Sequence, residues 1–171
     1  MDLQVRRMIN RDVYIFLDID GVLNNVQLFE RHYQYIQKGT EIPFIYQDID
    51  VRCVEILKQL CEQLPNCHIV LSSSWRNHRK AVKQLEALFQ YHNLPHIKGK
   101  TPCLKDTCRG IEIEKYCKEH NISFDDIVIL DDEDNMAHVS NRLILTDFNN
   151  GGLKEEHIKE ILKLLERGEG K

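Results

Sequence analysis

The sequence contains no long apolar run, and no stretch approaches the ~20 residues that a transmembrane helix needs. Residues 1–11 also lack the apolar segment of a signal peptide. Both absences disfavour membrane and exported proteins. We therefore expect a cytoplasmic protein with no membrane partner.

Paired cysteines are missing as well. None of the six cysteines lies in a Cys-x-x-Cys pair, and none has a partner pair at zinc-site spacing. Cytoplasmic thiols stay reduced and often pack as small apolar side chains. The sequence thus predicts free, mostly buried cysteines instead of disulfides or a zinc site.

Repeats and low-complexity tracts do not occur in the chain. Its 171 residues, 42% apolar and 29% charged, have the length and composition of an ordinary globular domain. We expect a single domain over residues 1–171.

The net charge of -4 is unevenly distributed. Residues 76–109 hold eight lysines or arginines against two acidic residues, whereas the rest of the chain holds 15 basic and 25 acidic residues. A basic segment in an acidic protein suggests a local anion site rather than a general nucleic-acid binder. A solvated helix face followed by a loop is the alternative.

Short apolar runs alternate with segments of helical periodicity. Strands are predicted over residues 13–17, 68–71, 127–130 and 143–145, with a weaker one at 96–98. Helices are predicted over residues 51–64, 77–91, 111–120 and 153–165. This alternation is typical of right-handed βαβ units. We therefore predict an α/β fold, a three-layer sandwich around a parallel, Rossmann-like sheet.

Polar clusters follow three of the predicted strands. They are Asp18-Ile19-Asp20-Gly21, Ser72-Ser73-Ser74 and Asp131-Asp132. Ligands of parallel sheets bind beyond the carboxyl ends of the strands, so these clusters should converge on one edge. Gathered carboxylates repel one another and need a cation between them. Hard oxygen ligands without histidine or cysteine favour Mg²⁺, which also binds phosphate oxygens.

The string from Asp18 to Leu23 resembles the first motif of the haloacid dehalogenase (HAD) superfamily of phosphotransferases, and the other two clusters follow in that family's order. The resemblance covers about residues 12–165. It implies a HAD-like phosphatase that depends on Mg²⁺. Asp18 would be the nucleophile and a metal ligand. Asp20 would protonate the leaving oxygen and then activate water, while its backbone carbonyl reaches the metal.

The resemblance also implies a phosphate-binding hydroxyl. Alignment on Trp75 favours Ser73, which we prefer, whereas ending the strand at Leu71 favours Ser72. Ser74 would cap the next helix. Trp75 itself is expected to pack beside the helix start, with stacking on a base as the alternative.

A phosphate-binding cation and two further metal ligands complete the implied site. Arg109, at the start of a predicted helix, is the expected cation, and Lys105 is the alternative. Asp131 and Asp132 would complete the Mg²⁺ site, with Asp132 favoured for the closer contact.

HAD enzymes gain selectivity from inserted caps. Residues 24–48 suffice for a β-hairpin flap and a short helix, but not for a cap domain. We therefore expect no large cap and an open site. Open sites suit large substrates such as nucleic-acid ends.

The strings at residues 71–76, 109–113 and 129–134 further resemble the HAD domains linked to Swiss Army Knife RNA repair proteins. This implies removal of a terminal phosphate from RNA or DNA, with Arg76, Lys98 and Lys100 along the substrate backbone. Without a kinase or ligase domain, a repair role would need separate partner enzymes. A nucleotidase or small-molecule phosphatase is the alternative, and a catalytically silent binding module is the second alternative.

Overall fold

A five-stranded sheet lies at the centre of the fold in the computed structural model, which describes residues 9–166. The strands are β1 (Val13–Leu17), β2 (Cys67–Leu71), β3 (Ile97–Lys100), β4 (Ile127–Asp131) and β5 (Leu143–Leu145). They run parallel in the order β3-β2-β1-β4-β5. The predicted α/β fold with a parallel, Rossmann-like sheet is confirmed.

Helices connect the strands. Those with α-helical geometry are α1 (Val26–Gln37), α2 (Val51–Gln63), α3 (Arg79–His92), α4 (Arg109–Glu119) and α5 (Glu155–Glu166). Short 3-10 turns cover Phe44–Tyr46, Ser74–Asn77, Phe124–Asp126, Ala137–Arg142 and Phe148–Asn150. No helix within residues 9–166 has the length and apolar character needed to cross a lipid bilayer.

The two faces of the sheet bury different helices. Ile15 and Leu17 of β1 pack into the larger cluster, together with α2, α3 and α5. Phe16, whose side chain points the other way, packs into a smaller cluster with α4 and the turn at Ala137–Arg142. This alternation along one strand produces the three layers, because successive side chains of a strand point to opposite faces.

A polar pair fixes where α1 and α2 begin. Asn25 caps α1 by accepting from the backbone N–H of Leu28 at 2.9 Å, and Asp50 caps α2 by accepting from that of Arg52 at 3.1 Å. The Asn25 amide also donates to the Asp50 carboxylate at 3.0 Å. The two caps therefore hold the ends of the insert at residues 24–48 together.

The β-hairpin flap predicted in this insert is wrong. Residues 24–48 are all described and contain α1 and the turn at Phe44–Tyr46, but no strand. Tyr33 and Tyr35 lie exposed on α1, whose buried residue is Leu28. The Asn25 cap and the helix-favouring residues between the aromatics outweigh their β propensity.

Candidate active site

The acidic cluster forms where the two central strands end. The backbone N–H of Asp18 donates to the carbonyl of Leu130 at 2.9 Å, which places Asp18 beside Asp131, the last residue of β4. Ligand oxygens of Asp18, Asp131 and Asp132 all lie within 4.8 Å of one another. Asp18 is 4% exposed and Asp131 is fully buried. These three carboxylates could hold a metal ion.

Gly21 allows the chain to turn tightly beside this cluster. Its φ is +76°, a conformation that L side chains rarely adopt. A Cβ atom at this position would lie 2.2 Å from Oδ2 of Asp132. A glycine is therefore required both for the turn and for the approach of Asp132.

Arg109 supplies positive charge to the cluster. Its guanidinium forms ion pairs with Oδ2 of Asp18 at 3.2 Å and with Asp131. Burial opposes its charge, but the Asp18 and Asp131 carboxylates outweigh burial and raise the pKa of Arg109. The next residue, Gly110, allows α4 to approach the chain after β4, because a Cβ there would lie 2.0 Å from the carbonyl oxygen of Met136.

Burial raises the pKa of each carboxyl group in the cluster. The pKa of Asp18 rises to about 6, mainly through burial, although Arg109 and a hydrogen bond from Ser73 act in the opposite direction. The pKa values of Asp131 and Asp132 are also raised, again mainly by burial. Two buried carboxylates, a half-buried third and one guanidinium leave a negative site that favours a cation.

The structure separates the two serine candidates. The Ser73 hydroxyl hydrogen-bonds the Asp18 carboxylate and accepts from the backbone N–H of Trp75 at 3.3 Å. The Ser72 hydroxyl is buried and has no partner within residues 9–166. Ser73, rather than Ser72, therefore contacts Asp18. The predicted cap by Ser74 is wrong, because Ser73 caps the following turn and α3 begins after His78 without a side-chain cap.

Asp20 is exposed and held by two donors. The indole Nε1 of Trp75 donates to its Oδ2 at 3.0 Å, and the amide of Asn24 donates to its Oδ1 at 2.8 Å. The sequence analysis did not predict a role for Asn24, although this residue directly follows the Asp18–Leu23 motif. Trp75 was expected only to pack or to stack, so its hydrogen bond to Asp20 was also missed.

Arg76 does not lie free along a substrate path. Its side chain is 7% exposed and donates to Oε2 of Glu112 at 2.6 Å and to the carbonyls of Ser72 and Ser73. It thus holds the serine loop against α4. The predicted contact with substrate is corrected accordingly.

The remaining predicted cations lie in different places. Lys98 lies 5.1 Å from the ring centroid of Tyr14, which is four residues before Asp18 and so roughly 13 Å down the strand. Its predicted place on the substrate path is therefore corrected. Lys100 is exposed opposite Leu71, at the carboxyl end of the sheet. Lys105 is exposed and forms no ion pair with the cluster among the described residues.

The parallel sheet with an aspartate cluster at its carboxyl edge defines a HAD-like protein of the Rossmann type. A model of the family described as the HAD domain in Swiss Army Knife RNA repair proteins matches residues 14–158. The chain belongs to this family. None of the curated proteins matches it.

Burial of the cluster predicts a pH-dependent stability of the metal-free protein. Between the ordinary pKa of 3.8 and about 6, folded Asp18 holds a proton that the unfolded chain has released. Its contribution therefore lowers the free energy of unfolding as pH rises through this window. Asp18→Asn removes the buried charge and should raise this free energy by roughly 1–3 kcal/mol near pH 7.5, but little near pH 4.

Urea unfolding in the presence of a chelator measures this effect. Asp134→Asn, which removes an exposed acid of the neighbouring loop, is the matched control and should change stability little at either pH. The same gain from Asp18→Asn at both pH values would contradict the expected cost of the buried charge.

Proposed function

We propose that the protein is a Mg²⁺-dependent phosphomonoester hydrolase that forms an aspartyl-phosphate on Asp18 and acts on nucleic-acid ends. One observation carries the proposal: in a member of a HAD family, Asp18, Asp131 and Asp132 form a cluster in which Arg109 pairs with Asp18 and Asp131. A phosphoryl-transfer site needs a nucleophile, a cation for the phosphoryl oxygens and a place for a metal. This edge of the sheet offers candidates for all three.

Asp18 would attack phosphorus with a carboxylate oxygen. Arg109 and Ser73 both contact Asp18, so a phosphoryl group beside Asp18 would be within reach of their donors. A guanidinium presents several N–H groups in a fixed plane, which suits the oxygens of a phosphoryl group. Burial keeps Asp18 weakly hydrated, which favours its use as a nucleophile at neutral pH.

Asp20 would handle the protons. As the bond between phosphorus and the leaving oxygen breaks, protonated Asp20 would give its proton to that oxygen. Water would then attack phosphorus and pass a proton back to Asp20, which frees Asp18 and inorganic phosphate. Trp75 and Asn24 would orient the Asp20 carboxyl group for both steps.

The residues of the cluster fit Mg²⁺. Their donors are hard carboxylate oxygens that lie within 4.8 Å of one another. Burial raises the pKa of all three groups, so a bound cation would stabilise their charged forms. Asp18, Asp131 and Asp132 would hold the ion, together with the backbone carbonyl of Asp20. Bound Mg²⁺ would neutralise negative charge on the transferring phosphoryl group.

Three observations support a nucleic-acid end as substrate. The family description refers to RNA repair proteins, and residues 9–166 include no cap domain over the site. Lys100 is exposed at the same edge of the sheet and could contact a neighbouring phosphate. Separate cytoplasmic enzymes would then seal or extend the dephosphorylated end.

Asp18→Asn should abolish phosphate release, because the amide cannot act as the nucleophile. Asp20→Asn should slow turnover by ~10²–10⁴ through loss of the proton donor. Phosphate release from a phosphorylated oligonucleotide measures both effects, with circular dichroism to confirm folding. Asp134→Asn serves as the control. Turnover by Asp18→Asn within about tenfold of the wild-type rate would remove Asp18 from the proposed role.

Activity should require Mg²⁺ and disappear in excess chelator. Ca²⁺ should bind but support little turnover, since its larger and looser coordination disturbs the in-line geometry. Mg²⁺ should also raise the melting temperature of the wild-type protein, and less so that of Asp132→Asn. Undiminished activity in chelator, with no metal in the purified protein, would exclude this mechanism.

Lys100→Glu should lower kcat/KM for a phosphorylated oligonucleotide, roughly threefold to tenfold at low salt, and the loss should shrink as salt rises. Lys98→Glu makes the same change of charge near Tyr14 and is the matched control. Turnover of 4-nitrophenyl phosphate should be nearly unchanged in both variants. Equal losses in the two variants would argue against a local contact at Lys100.

A further inference from the structure

A pocket of about 300 Å³ lies between the turn at Phe44–Tyr46 and the start of α3. Its walls include the aromatic rings of Phe44 and Trp75. We propose that this pocket binds the nucleobase of the nucleotide that leaves the phosphate. The link to the reaction rests on the phosphatase function proposed above, whereas binding of the base does not depend on turnover.

The pocket adjoins the residue that would face the leaving oxygen. Trp75 lines the pocket and also donates to Oδ2 of Asp20. Asp48 lines it as well, and its carbonyl accepts from the Asn24 amide at 3.2 Å while the same amide donates to Asp20. A leaving group that extends from Asp20 away from the acidic cluster can therefore enter this pocket.

The two aromatic rings suit a flat ligand. Phe44 is 40% exposed, and the ammonium of Lys80 lies 5.7 Å from its ring centroid. Bases stack on aromatic side chains of this kind. The Nε1–H of Trp75 lies in the plane of the indole, whereas stacking uses its face. Trp75 can therefore hold Asp20 and a base at the same time.

Polar groups in the pocket favour a base over a plain aromatic ring. Gln84 lines the pocket, is 4% exposed, and its amide nitrogen has no hydrogen-bond partner in the described part of the chain. A buried donor without a partner is costly, and rotation of the Gln84 amide into the pocket would let it donate to a ring nitrogen or carbonyl of a base. His78 and Gln47 add further polar groups to the walls. The volume is at the lower end for ligand sites, which suits one base.

Trp75 provides a direct readout, since it is the only tryptophan of the chain. The Asp18→Asn protein with Mg²⁺ would be titrated with adenosine 3′- and 5′-monophosphates, and with ribose 5-phosphate as the ligand that lacks a base. At least one adenosine phosphate should quench the fluorescence and bind about 10- to 100-fold more tightly than ribose 5-phosphate.

Phe44→Ala in the same background tests the pocket wall. It should weaken binding of the adenosine phosphate about tenfold and leave that of ribose 5-phosphate unchanged. Tyr33→Ala is the matched control, because Tyr33 is an exposed aromatic residue of α1 that does not line this pocket. Equal losses from Phe44→Ala and Tyr33→Ala would overturn the proposal.

The outcomes separate this proposal from the phosphatase function. If the adenosine phosphates quench Trp75 more strongly than ribose 5-phosphate but the wild-type protein releases no phosphate, the base-binding proposal stands and the phosphatase proposal fails. Equal affinity for the adenosine phosphates and ribose 5-phosphate would overturn the pocket, even if the wild-type enzyme is active. Tighter binding of a phosphotyrosine peptide than of either adenosine phosphate would also overturn it.

Discussion

The gathering of three carboxylates, two of them buried, at the carboxyl edge of the sheet is the constraint on which the site depends. Pairing of β1 with β4 places Asp18 beside Asp131, and Asp132 follows directly in the chain. The missing side chain at Gly21 leaves room for the Asp132 carboxylate. Burial raises the pKa of all three carboxyl groups, and the positive charge of Arg109 offsets this rise only in part. The close approach of α4 at Gly110 matters because it delivers Arg109, whose guanidinium offsets part of this charge.

The sheet and the acidic cluster were predictable because both follow from short-range patterns. Strands buried on both faces read as unbroken apolar runs, so Val13–Leu17 and Ile127–Asp131 were found within a residue of their bounds. Parallel strands place their carboxyl ends together, and the aspartates after these runs therefore had to meet. Arg109 came from the family resemblance, which implies a cation near the start of the helix before β4, and its ion pair with Asp18 brings it to the cluster.

Side-chain direction was not predictable, because it is decided by distant partners. Arg76 looked like a surface cation, but Glu112, which is 36 residues away in sequence, draws it inward beneath the serine loop. Lys98 and Lys100 are two residues apart and were both predicted to contact substrate. The pairing of β2 with β3 shifts register near Lys98, and its ammonium lies over the ring of Tyr14. In α1, Tyr33 and Tyr35 have β propensity, yet they lie exposed on a helix that Asn25 caps.

Trp75 shows how an open site of this kind could combine selectivity with chemistry. Its ring edge holds the Asp20 carboxyl group and its ring also lines the neighbouring pocket. A base bound in that pocket would order the indole, and the ordered indole would hold Asp20 towards the leaving oxygen. A substrate without a base would lose both the binding energy of the pocket and part of the orientation of the acid. Discrimination would then appear in kcat as well as in KM, because the same contact acts in the transition state. The described residues of this HAD protein include no cap domain. In this arrangement the base of the leaving group would take over the role of a cap, because it would help to orient the catalytic acid.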